Sequence, residues 1–267
     1  MSDVLSFSCA VVTGASSGLG EEFALQIAPR VRHLVLVARR ASLLEDLSLR
    51  IGGMFPQVTV SVVAADLSVF SERERLAQWL AEQESLPDLL VNNAGLGDYG
   101  EFATAEWERL EAMLRVNIEA LTHLAHALVP GMIRNGRGAV VNVSSLASLL
   151  PIPDFAVYAA TKAYVTSFSE ALRIELREHG IPVLAVCPGP VHTGFGAVAH
   201  RGERIPGGSL RELFYVSREQ VVRESLTALA LDRPRVYPAL KTAVAAVAIS
   251  MLPLLLLRLA MGRRPRR

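Results

Sequence analysis

The stretch TGASSGLG, Thr13–Gly20, follows the short apolar run CAVVT and leads into the amphipathic segment EEFALQIAPR. Its glycines permit a tight turn and let the main chain approach a bound group closely. A helix that begins at such a turn offers free N–H groups and the positive end of its dipole, which together favour a phosphate. This order of strand, turn and helix predicts a dinucleotide-binding loop. The cofactor contacts that we assign to the loop are Gly14, Ser16, Ser17, Gly18, Leu19 and Gly20.

Short apolar runs alternate with longer helical patterns along the rest of the chain. Runs with little internal alternation are typical of strands buried on both faces of a parallel sheet. The runs are HLVLVA (33–38), VTVSVVAA (58–65), DLLVNN (88–93), GAVVNVSS (138–145), IPVLAVC (181–187) and, more weakly, RVYPA (235–239). This alternation predicts a doubly wound, Rossmann-like α/β fold, with a parallel sheet in a single domain over residues 1–240.

The composition limits the classes of partner. The chain has 267 residues, of which 51% are hydrophobic, and its formal net charge of +1 gives no general attraction to nucleic acid. Cys9 and Cys187 lie in apolar runs and cannot build a disulfide framework, so we interpret them as buried thiols of a cytoplasmic protein. His123 and His126 are three apart on a predicted helix but have no cluster of other ligands, so we predict no metal site.

The end of the second predicted strand bears on the choice of cofactor. A fold of this kind that prefers NAD often has an acid there for the ribose 2′-hydroxyl, but here the strand ends Val37-Ala38-Arg39-Arg40. A guanidinium can hold a 2′-phosphate through paired hydrogen bonds. We therefore predict NADP(H) rather than NAD(H), with Arg39 as a contact. The alternative is that both arginines are ordinary solvated side chains in an arginine-rich chain.

Six motifs occur in a fixed order along the chain. They are TGASSGLG (13–20), NNAG (92–95), Asn117, NVSS (142–145), YAATK (158–162) and PGPVHT (188–193). In order and spacing they resemble the short-chain dehydrogenase/reductase family, in its single-domain form of ordinary length, over residues 7–240. The resemblance implies hydride transfer between a nicotinamide and a carbonyl or secondary alcohol, and it implies a homo-oligomer.

Tyr158 and Lys162 are the predicted acid–base pair of that resemblance. A spacing of four places both on one face of a helix. A nearby ammonium and a positive nicotinamide would lower the pKa of the tyrosine, and in the family the lysine also binds the nicotinamide ribose. Only two of the 27 basic residues are lysines, Lys162 and Lys241, so a lysine four residues after a tyrosine is a specific signal.

The serine of the predicted site lies at the end of a strand. Ser145 stands thirteen residues before Tyr158, where the family has the serine that hydrogen-bonds the substrate carbonyl. Ser144 competes with it, but adjacent strand residues point to opposite faces, so only one can face the substrate. Asn117 matches the family asparagine that helps to hold a proton-relay water; its alternative is a helix-interior Asn bonded to nearby backbone.

The family order assigns the remaining cofactor contacts, although each residue could by itself be an ordinary turn residue. Asp66 is expected at the adenine and Thr193 near the nicotinamide carboxamide. The full set, to which Tyr158 and Lys162 also belong, adds Leu67, Asn93, Ala94, Gly95, Pro188, Gly189 and Val191. The glycine-rich segment 194–216 is predicted to form a substrate loop with a short helix, and Ser217 to cap the helix that follows.

The C-terminal extension, residues 241–267, departs from a minimal member of the family. Residues 243–257 carry no charge, and five arginines follow without an acid. Three interpretations stay open. The stretch folds over the substrate pocket or a partner subunit; it lies in a membrane surface with its arginines on anionic lipid; or it spans a bilayer, for which it is short and interrupted by Pro253.

These observations predict an NADP(H)-dependent oxidoreductase for a small, hydrophobic carbonyl or alcohol substrate. Ser145 and Tyr158 are the predicted substrate contacts. Two alternatives remain: an NAD-preferring alcohol dehydrogenase of the same family, and a non-catalytic dinucleotide-binding scaffold at a membrane. The second has no need of Ser145, Tyr158 and Lys162 together, although a fold by itself does not imply a function.

Overall fold

A computed structural model describes residues 6–83, 86–199 and 215–262 of the chain. Its centre is a parallel sheet of seven strands in the order β3-β2-β1-β4-β5-β6-β7. The strands are β1 (Phe7–Thr13), β2 (Val31–Ala38), β3 (Thr59–Ala64), β4 (Leu89–Asn92), β5 (Ala139–Val143), β6 (Val183–Val186) and β7 (Arg235–Val236). Each lies within or overlaps one of the seven apolar runs. The doubly wound parallel sheet is therefore confirmed.

Helices connect the strands and cover both faces of the sheet. They are α1 (Gly18–Ile27), α2 (Ala41–Met54), α3 (Phe70–Ala81), α4 (Trp107–Leu114), α5 (Leu121–Arg134), α6 (Ala156–Leu176), α7 (Phe195–Ala199), α8 (Arg218–Ala230), α9 (Leu240–Met251) and α10 (Leu254–Gly262). A π-helical turn, Arg115–Ala120, joins α4 to α5. The hydroxyl of Ser217 accepts the N–H of Gln220 at 3.2 Å, so this serine caps α8 as predicted.

The sheet divides the core into two layers, which explains the apolar strands. In β1 the fully buried Ala10 and Val12 pack with α1, α2 and α8, whereas the equally buried Cys9 and Val11 pack with α3, α5 and α6. Alternate residues of one strand thus supply both layers. Strands covered in this way lack a polar face, and their carboxyl ends meet at one edge, where a doubly wound fold binds its ligands.

The C-terminal extension forms two helices separated at Pro253. Helix α9 contacts the short helical turn Leu146–Leu149, which directly follows Ser145, and it buries Thr242 and Ala246. In the three described ranges, no helix combines the length and the apolarity needed to cross a bilayer. Residues 200–214 of the predicted substrate loop and the arginines of 263–267 lie outside the described residues.

Candidate active site

The loop after β1 has the backbone that the glycine pattern predicts. Gly14 has φ +67°, and a side-chain carbon there would lie 2.8 Å from Nδ2 of Asn93. At Gly20 such a carbon would lie 2.2 Å from the carbonyl oxygen of Gly14, closer than any real contact. Helix α1 begins within the loop, at Gly18, so its first N–H groups are directed at the carboxyl edge of the sheet.

Two polar side chains join this loop to the end of β4. The hydroxyl oxygen of Thr13 accepts the N–H groups of Asn93 and Ala94, each at 3.0 Å. In return, the side-chain amide of Asn93 donates to the carbonyl oxygen of Thr13 at 2.9 Å. The predicted cofactor residues of the two loops are therefore adjacent, and Asn93 positions the loop through its amide.

An open cavity of about 440 Å³ lies at the amino end of α1. Its walls come from the phosphate loop, from the segment after β6 and from the start of α8. The lining residues are Ser17, Gly18, Glu21, His192, Thr193, Gly194 and Arg218. The cavity provides space for a ligand against the positive end of the helix dipole.

Arg40 lies over the phosphate loop. One nitrogen of its guanidinium donates to the hydroxyls of Ser16 and Ser17 at 2.9 and 2.8 Å. Arg39 extends into solvent, with its side chain 62% exposed, and reaches Asp66 at 3.9 Å. The residues therefore fit a 2′-phosphorylated dinucleotide: a cation is fixed beside the loop and Ala38, rather than an acid, ends the strand.

The two serines at the end of β5 have opposite environments. Ser144 is buried, and its hydroxyl bonds to the carbonyl oxygen of Lys162 at 2.8 Å and to the hydroxyl of Thr166 at 2.7 Å. Ser145 is half-buried, accepts the N–H of Ala147 at 3.1 Å and hydrogen-bonds to the side chain of Tyr158. The geometry therefore favours Ser145 as the serine that faces a substrate.

Tyr158 and Lys162 lie one turn apart on α6, and both are buried. Nζ of Lys162 donates to the carbonyl oxygen of Val143 at 2.9 Å and lies 5.8 Å from the centre of the Tyr158 ring. A side-chain carbon at Gly95 would lie 3.4 Å from the same nitrogen, so the loop after β4 comes close to the lysine. The three predicted residues Ser145, Tyr158 and Lys162 thus form one cluster at the carboxyl edge of the sheet.

Burial controls the ionisation of this cluster in the chain alone. It raises the pKa of Tyr158 to about 12, an effect that the hydrogen bond with Ser145 partly opposes. It lowers the pKa of Lys162 to about 8, an effect that the charge of Cys187 opposes. Desolvation thus disfavours the charged form of each group in the chain alone. The lowered tyrosine pKa expected from the sequence also depends on the positive nicotinamide, so it stays a prediction for the cofactor complex.

Asn117 occupies the π-helical turn and is buried at 1% exposure. Its side-chain oxygen accepts the N–H of Leu96 at 2.8 Å, and its amide donates to the Leu96 carbonyl at 2.9 Å and to the Thr161 hydroxyl at 3.0 Å. The side chain thus joins the loop after β4 to Thr161 on α6, the residue before Lys162. These contacts make it a positioning residue; the water-holding role implied by the resemblance stays a prediction.

Aromatic rings cover Tyr158. Phe155 stacks on it with ring centres 4.2 Å apart, and Phe195 of α7 lies 5.5 Å away at a tilt of 46°. Tyr99 packs edge-on against Phe155 at 5.7 Å, and its N–H donates to the carbonyl oxygen of Ala199 at 2.8 Å. The described start of the predicted substrate loop therefore lies over the tyrosine and gives the site apolar, aromatic walls.

The other predicted cofactor residues lie at the same edge of the sheet. Asp66 accepts the N–H and hydroxyl of Ser68, which fixes the turn after β3, and the side chain of Leu67 is in the core. Pro188, Gly189, Val191 and Thr193 follow β6, where Thr193 lies opposite Gly18 at 3.2 Å from the position of an added side-chain carbon. The structure thus brings the loops after β1, β4, β5 and β6 together.

His123, one of the two helical histidines, has structural partners. His123 stacks on Phe70 with ring centres 6.0 Å apart, and its Nε2 lies 3.3 Å from a carboxylate oxygen of Glu74. Across residues 6–83, 86–199 and 215–262, no three His, Cys, Asp or Glu side chains are grouped in a way that could hold a metal ion. Cys9 and Cys187 are both free and buried.

A protein-family model matches most of the chain. The family model for the short chain dehydrogenase matches residues 8–203, which contain the phosphate loop, Asn117, Ser145, Tyr158 and Lys162. The chain belongs to the short-chain dehydrogenase family. The family assigned from the motif order is thereby confirmed.

One curated relative of this short-chain dehydrogenase is the very-long-chain 3-oxoacyl-CoA reductase of Aspergillus oryzae. The two are 37% identical over 180 residues, which cover 66% of this chain and 51% of the relative. The chain thus spans about half the length of that relative.

Solved structures match the short-chain dehydrogenase over nearly its full length. A short-chain dehydrogenase from Sphingobium yanoikuyae in complex with NADPH is 30% identical, with a TM-score of 0.81 over 97% of this chain and 98% of that one. The bulky-bulky ketone specific alcohol dehydrogenase from Comamonas testosteroni is 27% identical, with a TM-score of 0.76 over 92% and 95%.

Sequence reasoning missed several residues of this site. Two adjacent arginines marked the end of β2, but their spacing could not show that Arg40, rather than Arg39, bonds to the phosphate loop. Thr13 begins the glycine motif and Thr161 belongs to YAATK, but neither motif predicted the hydrogen bonds of these threonines to the neighbouring loop and to Asn117. Phe155 and Phe195 carried no signal, since single aromatic residues near a turn are common and only the fold brings them to Tyr158.

Proposed function

We propose that the protein is an NADP(H)-dependent oxidoreductase that interconverts bulky hydrophobic ketones and the matching secondary alcohols. The observation that carries the proposal is the position of Tyr158. It is buried beside Ser145 and Lys162, at the sheet edge that also holds a phosphate-binding loop. A protonated phenol, a hydroxyl and a cationic amine in one apolar site suit proton exchange with a carbonyl oxygen.

The residues have distinct tasks in carbonyl reduction. The hydride for the carbonyl carbon comes from NADPH when that cofactor is bound. Ser145 donates a hydrogen bond to the substrate oxygen and thereby fixes the carbonyl beside Tyr158. Tyr158 gives its hydroxyl proton to the same oxygen as negative charge develops there, which yields the alcohol and a phenolate. Lys162 stabilises that phenolate by its charge; oxidation of the alcohol reverses these steps.

Arg40 supports the choice of NADP(H). Its guanidinium is already fixed by Ser16 and Ser17, so little side-chain entropy is lost when it binds a phosphate. The NADPH complex of the Sphingobium relative agrees with this assignment.

The walls of the site support a bulky hydrophobic substrate. Phe155 and Phe195 lie against Tyr158, and Tyr99 packs on Phe155. The buried Leu110 and Met113 form one apolar cluster with Tyr158. Such walls gain affinity by burying apolar surface and offer few partners for a polar substrate. Two of the relatives are named for large ketone substrates, a very-long-chain 3-oxoacyl-CoA and a bulky-bulky ketone.

A substrate screen tests the proposal. The purified chain is assayed by the absorbance of NADPH against ketones with two bulky substituents, steroid ketones, a 3-oxoacyl thioester and acetone. We expect turnover of the large apolar ketones and little of acetone. Tyr158→Phe should bind NADPH, measured by fluorescence, but lose about 10²- to 10⁴-fold in kcat, the usual contribution of a positioned acid.

Tyr164→Phe is the matched control, because Tyr164 lies on the same helix and its hydroxyl bonds to Thr122 at 2.9 Å, away from Tyr158. This variant should keep full activity. Equal turnover by the Tyr158→Phe variant would refute the role of the tyrosine. Tight NADPH binding without turnover of any carbonyl would support the non-catalytic scaffold instead.

A further inference from the structure

An exposed apolar stripe runs along α9. Leu240, Val244, Val247 and Met251 follow one another at intervals of four, three and four residues, which places them on one side of the helix. Their exposed fractions are 81%, 59%, 59% and 78%. A helix on the surface of a water-soluble domain normally presents polar residues on this side.

The opposite side of α9 faces the protein and contains small residues. Thr242 and Ala246, four residues apart, are each 1% exposed, and the helix lies against the turn Leu146–Leu149. The polarity of α9 is therefore inverted: small side chains, one of them polar, are buried and large apolar ones are in contact with solvent. Covering the stripe would remove much apolar surface from water, so this side of α9 is expected to bind a partner.

Helix α10 extends the same surface. Leu255, Leu256 and Leu259 are 65%, 48% and 57% exposed, whereas Leu257 is 9% exposed and faces inward. We call the exposed residues of α9 and α10 together the C-terminal apolar surface. Its two helices are broken at Pro253, so it can lie along an interface without forming a long span.

The charge of this region identifies the partner. Residues 233–267 contain eight basic residues and no acidic one, so the remaining 232 residues hold 19 basic and 26 acidic residues. Four of the eight basic residues lie in the last five positions of the chain. Apolar side chains next to a run of arginines match the chemistry of a lipid surface with anionic headgroups.

A second copy of the chain fits the same surface less well. A symmetric dimer through this surface would bring two basic regions together. Arg235 already pairs with Glu170, but no acidic residue between 233 and 267 could pair with the other basic residues of the segment. Like charges placed against each other across an interface are unfavourable. An anionic membrane fits both features of the surface, because its acyl chains accept the apolar side chains and its headgroups neutralise the arginines.

We propose that the C-terminal apolar surface docks the protein onto anionic lipid membranes from one side. The large side chains of α9 and α10 enter the boundary between headgroups and acyl chains, and the arginines bind the headgroups. Docking leaves the sheet and its carboxyl edge in water. Because α9 lies against the turn that follows Ser145, the membrane contact forms next to the candidate active site.

Sedimentation with vesicles tests the proposal on the full chain. The wild type should sediment with vesicles of phosphatidylcholine mixed with phosphatidylserine, and less with phosphatidylcholine alone. Raising the salt concentration should weaken the binding to anionic vesicles, because the electrostatic part is screened. The double variant Val247→Glu/Met251→Glu should lose at least about tenfold in partition, since its charges would enter the apolar boundary.

The matched control is Leu49→Glu/Met54→Glu on α2, which also replaces two exposed apolar residues on one helix, 76% and 53% exposed. It should sediment like the wild type. A chain that ends at Gly262 should lose the preference for anionic vesicles. Circular dichroism of every variant shows whether it has folded.

Three outcomes would overturn membrane docking. The wild type could stay in the supernatant with anionic vesicles, or the two glutamates on α9 could leave its sedimentation unchanged. The third is a lipid-free dimer in analytical ultracentrifugation that the same glutamates dissociate, which would assign the surface to a second copy. None of these readouts depends on turnover, so they stand apart from the proposed function.

Discussion

Nζ of Lys162 lies over the ring of Tyr158, 5.8 Å from its centre, and both side chains are buried. Burial moves their pKa values in opposite directions, to about 8 for the lysine and to about 12 for the tyrosine. Each shift favours the neutral form of its group. The chain alone therefore keeps the proton on Tyr158 at neutral pH, which is the form needed to protonate a carbonyl oxygen.

The lowered pKa of Lys162 predicts how stability depends on pH. Between pH 8 and the unfolded value of about 10.5, the unfolded chain keeps a proton on this lysine that the folded chain has lost. Rising pH disfavours the state that binds more protons, which here is the unfolded chain. The free energy of unfolding that this lysine contributes therefore increases with pH in that window. The cost of the buried ammonium is roughly 3 kcal/mol, and most of it is relieved between pH 7 and pH 10.

The variant Lys162→Met isolates the contribution of Lys162 to the pH dependence of stability, because the methionine side chain has a similar length and does not titrate. The free energy of unfolding, from denaturant titrations, should favour the variant over the wild type more at pH 7 than at pH 10. The comparison stops at pH 10 because the raised pKa of Tyr158 affects stability in the opposite sense above that pH. A difference that is constant with pH would contradict the lowered pKa.

Replacing each strand-end serine by alanine separates catalysis from folding. Ser145→Ala removes a hydroxyl beside Tyr158 and should lower kcat by about 10- to 10³-fold with little change in stability, as loss of one hydrogen-bond donor to a developing oxyanion does. Ser144→Ala removes a buried hydroxyl that bonds to the Lys162 carbonyl and the Thr166 hydroxyl, and it leaves the latter with only the Cys187 sulfur at 3.8 Å. It should destabilise the fold by about 1–3 kcal/mol.

Steady-state kinetics and thermal unfolding of both variants check this prediction. The two substitutions are chemically identical and adjacent in sequence, so each is the control for the other. If Ser144→Ala loses as much kcat as Ser145→Ala while keeping its melting temperature, the assignment of the two serines is reversed.

The two serines also show which features of the fold and the site can be predicted from the sequence. The alternation of side chains on a strand predicted that Ser144 and Ser145 face opposite ways, and the seven apolar runs predicted the seven strands, because both depend on local periodicity. What local periodicity could not show depends on packing between distant segments. The ring of Phe195, 37 positions later in the chain, lies against Tyr158, whose pKa is raised by burial.

The end of β2 gives a third prediction, on cofactor affinity. If Arg40 binds the 2′-phosphate as proposed, Arg40→Ala should raise the Kd for NADPH by about 10- to 100-fold through the loss of charge-assisted hydrogen bonds, and it should leave the Kd for NADH nearly unchanged. Arg39→Ala should have a smaller effect, since Arg39 extends into solvent toward Asp66. Fluorescence titrations with both nucleotides measure these values.

Arg50→Ala is the control for general charge, because Arg50 bonds to Glu21 on α1. An Arg40→Ala variant that loses NADH and NADPH affinity equally would show that this arginine positions the loop instead of selecting the phosphate.

The close approach at Gly20 gives a fourth prediction. Gly20→Ala places a carbon 2.2 Å from the Gly14 carbonyl, so the loop must move. NADPH affinity should fall by more than about tenfold, because the main chain could no longer approach the pyrophosphate. Gly52→Ala on α2 is the matched control: its added carbon meets open space, and it should stabilise the helix by about 0.5–1 kcal/mol. Unchanged NADPH affinity in the Gly20→Ala variant would count against the loop as the pyrophosphate site.

Asn117 gives the last prediction, because its three hydrogen bonds have no substitute in the fold. Asn117→Leu keeps the number and branching of the side-chain heavy atoms but leaves the N–H and carbonyl of Leu96 without their partner. The hydroxyl of Thr161 keeps only its bond to the carbonyl oxygen of Tyr158. Burying polar groups unpaired should cost about 2–4 kcal/mol in the free energy of unfolding, which denaturant titration measures. Asn135→Leu, at the end of α5, is the control, and it should change stability by less than about 0.5 kcal/mol because the residue is exposed. If Asn117→Leu proves as stable as the wild type but loses activity, the side chain acts on the reaction itself, as the family resemblance implies, instead of joining the loop after β4 to α6.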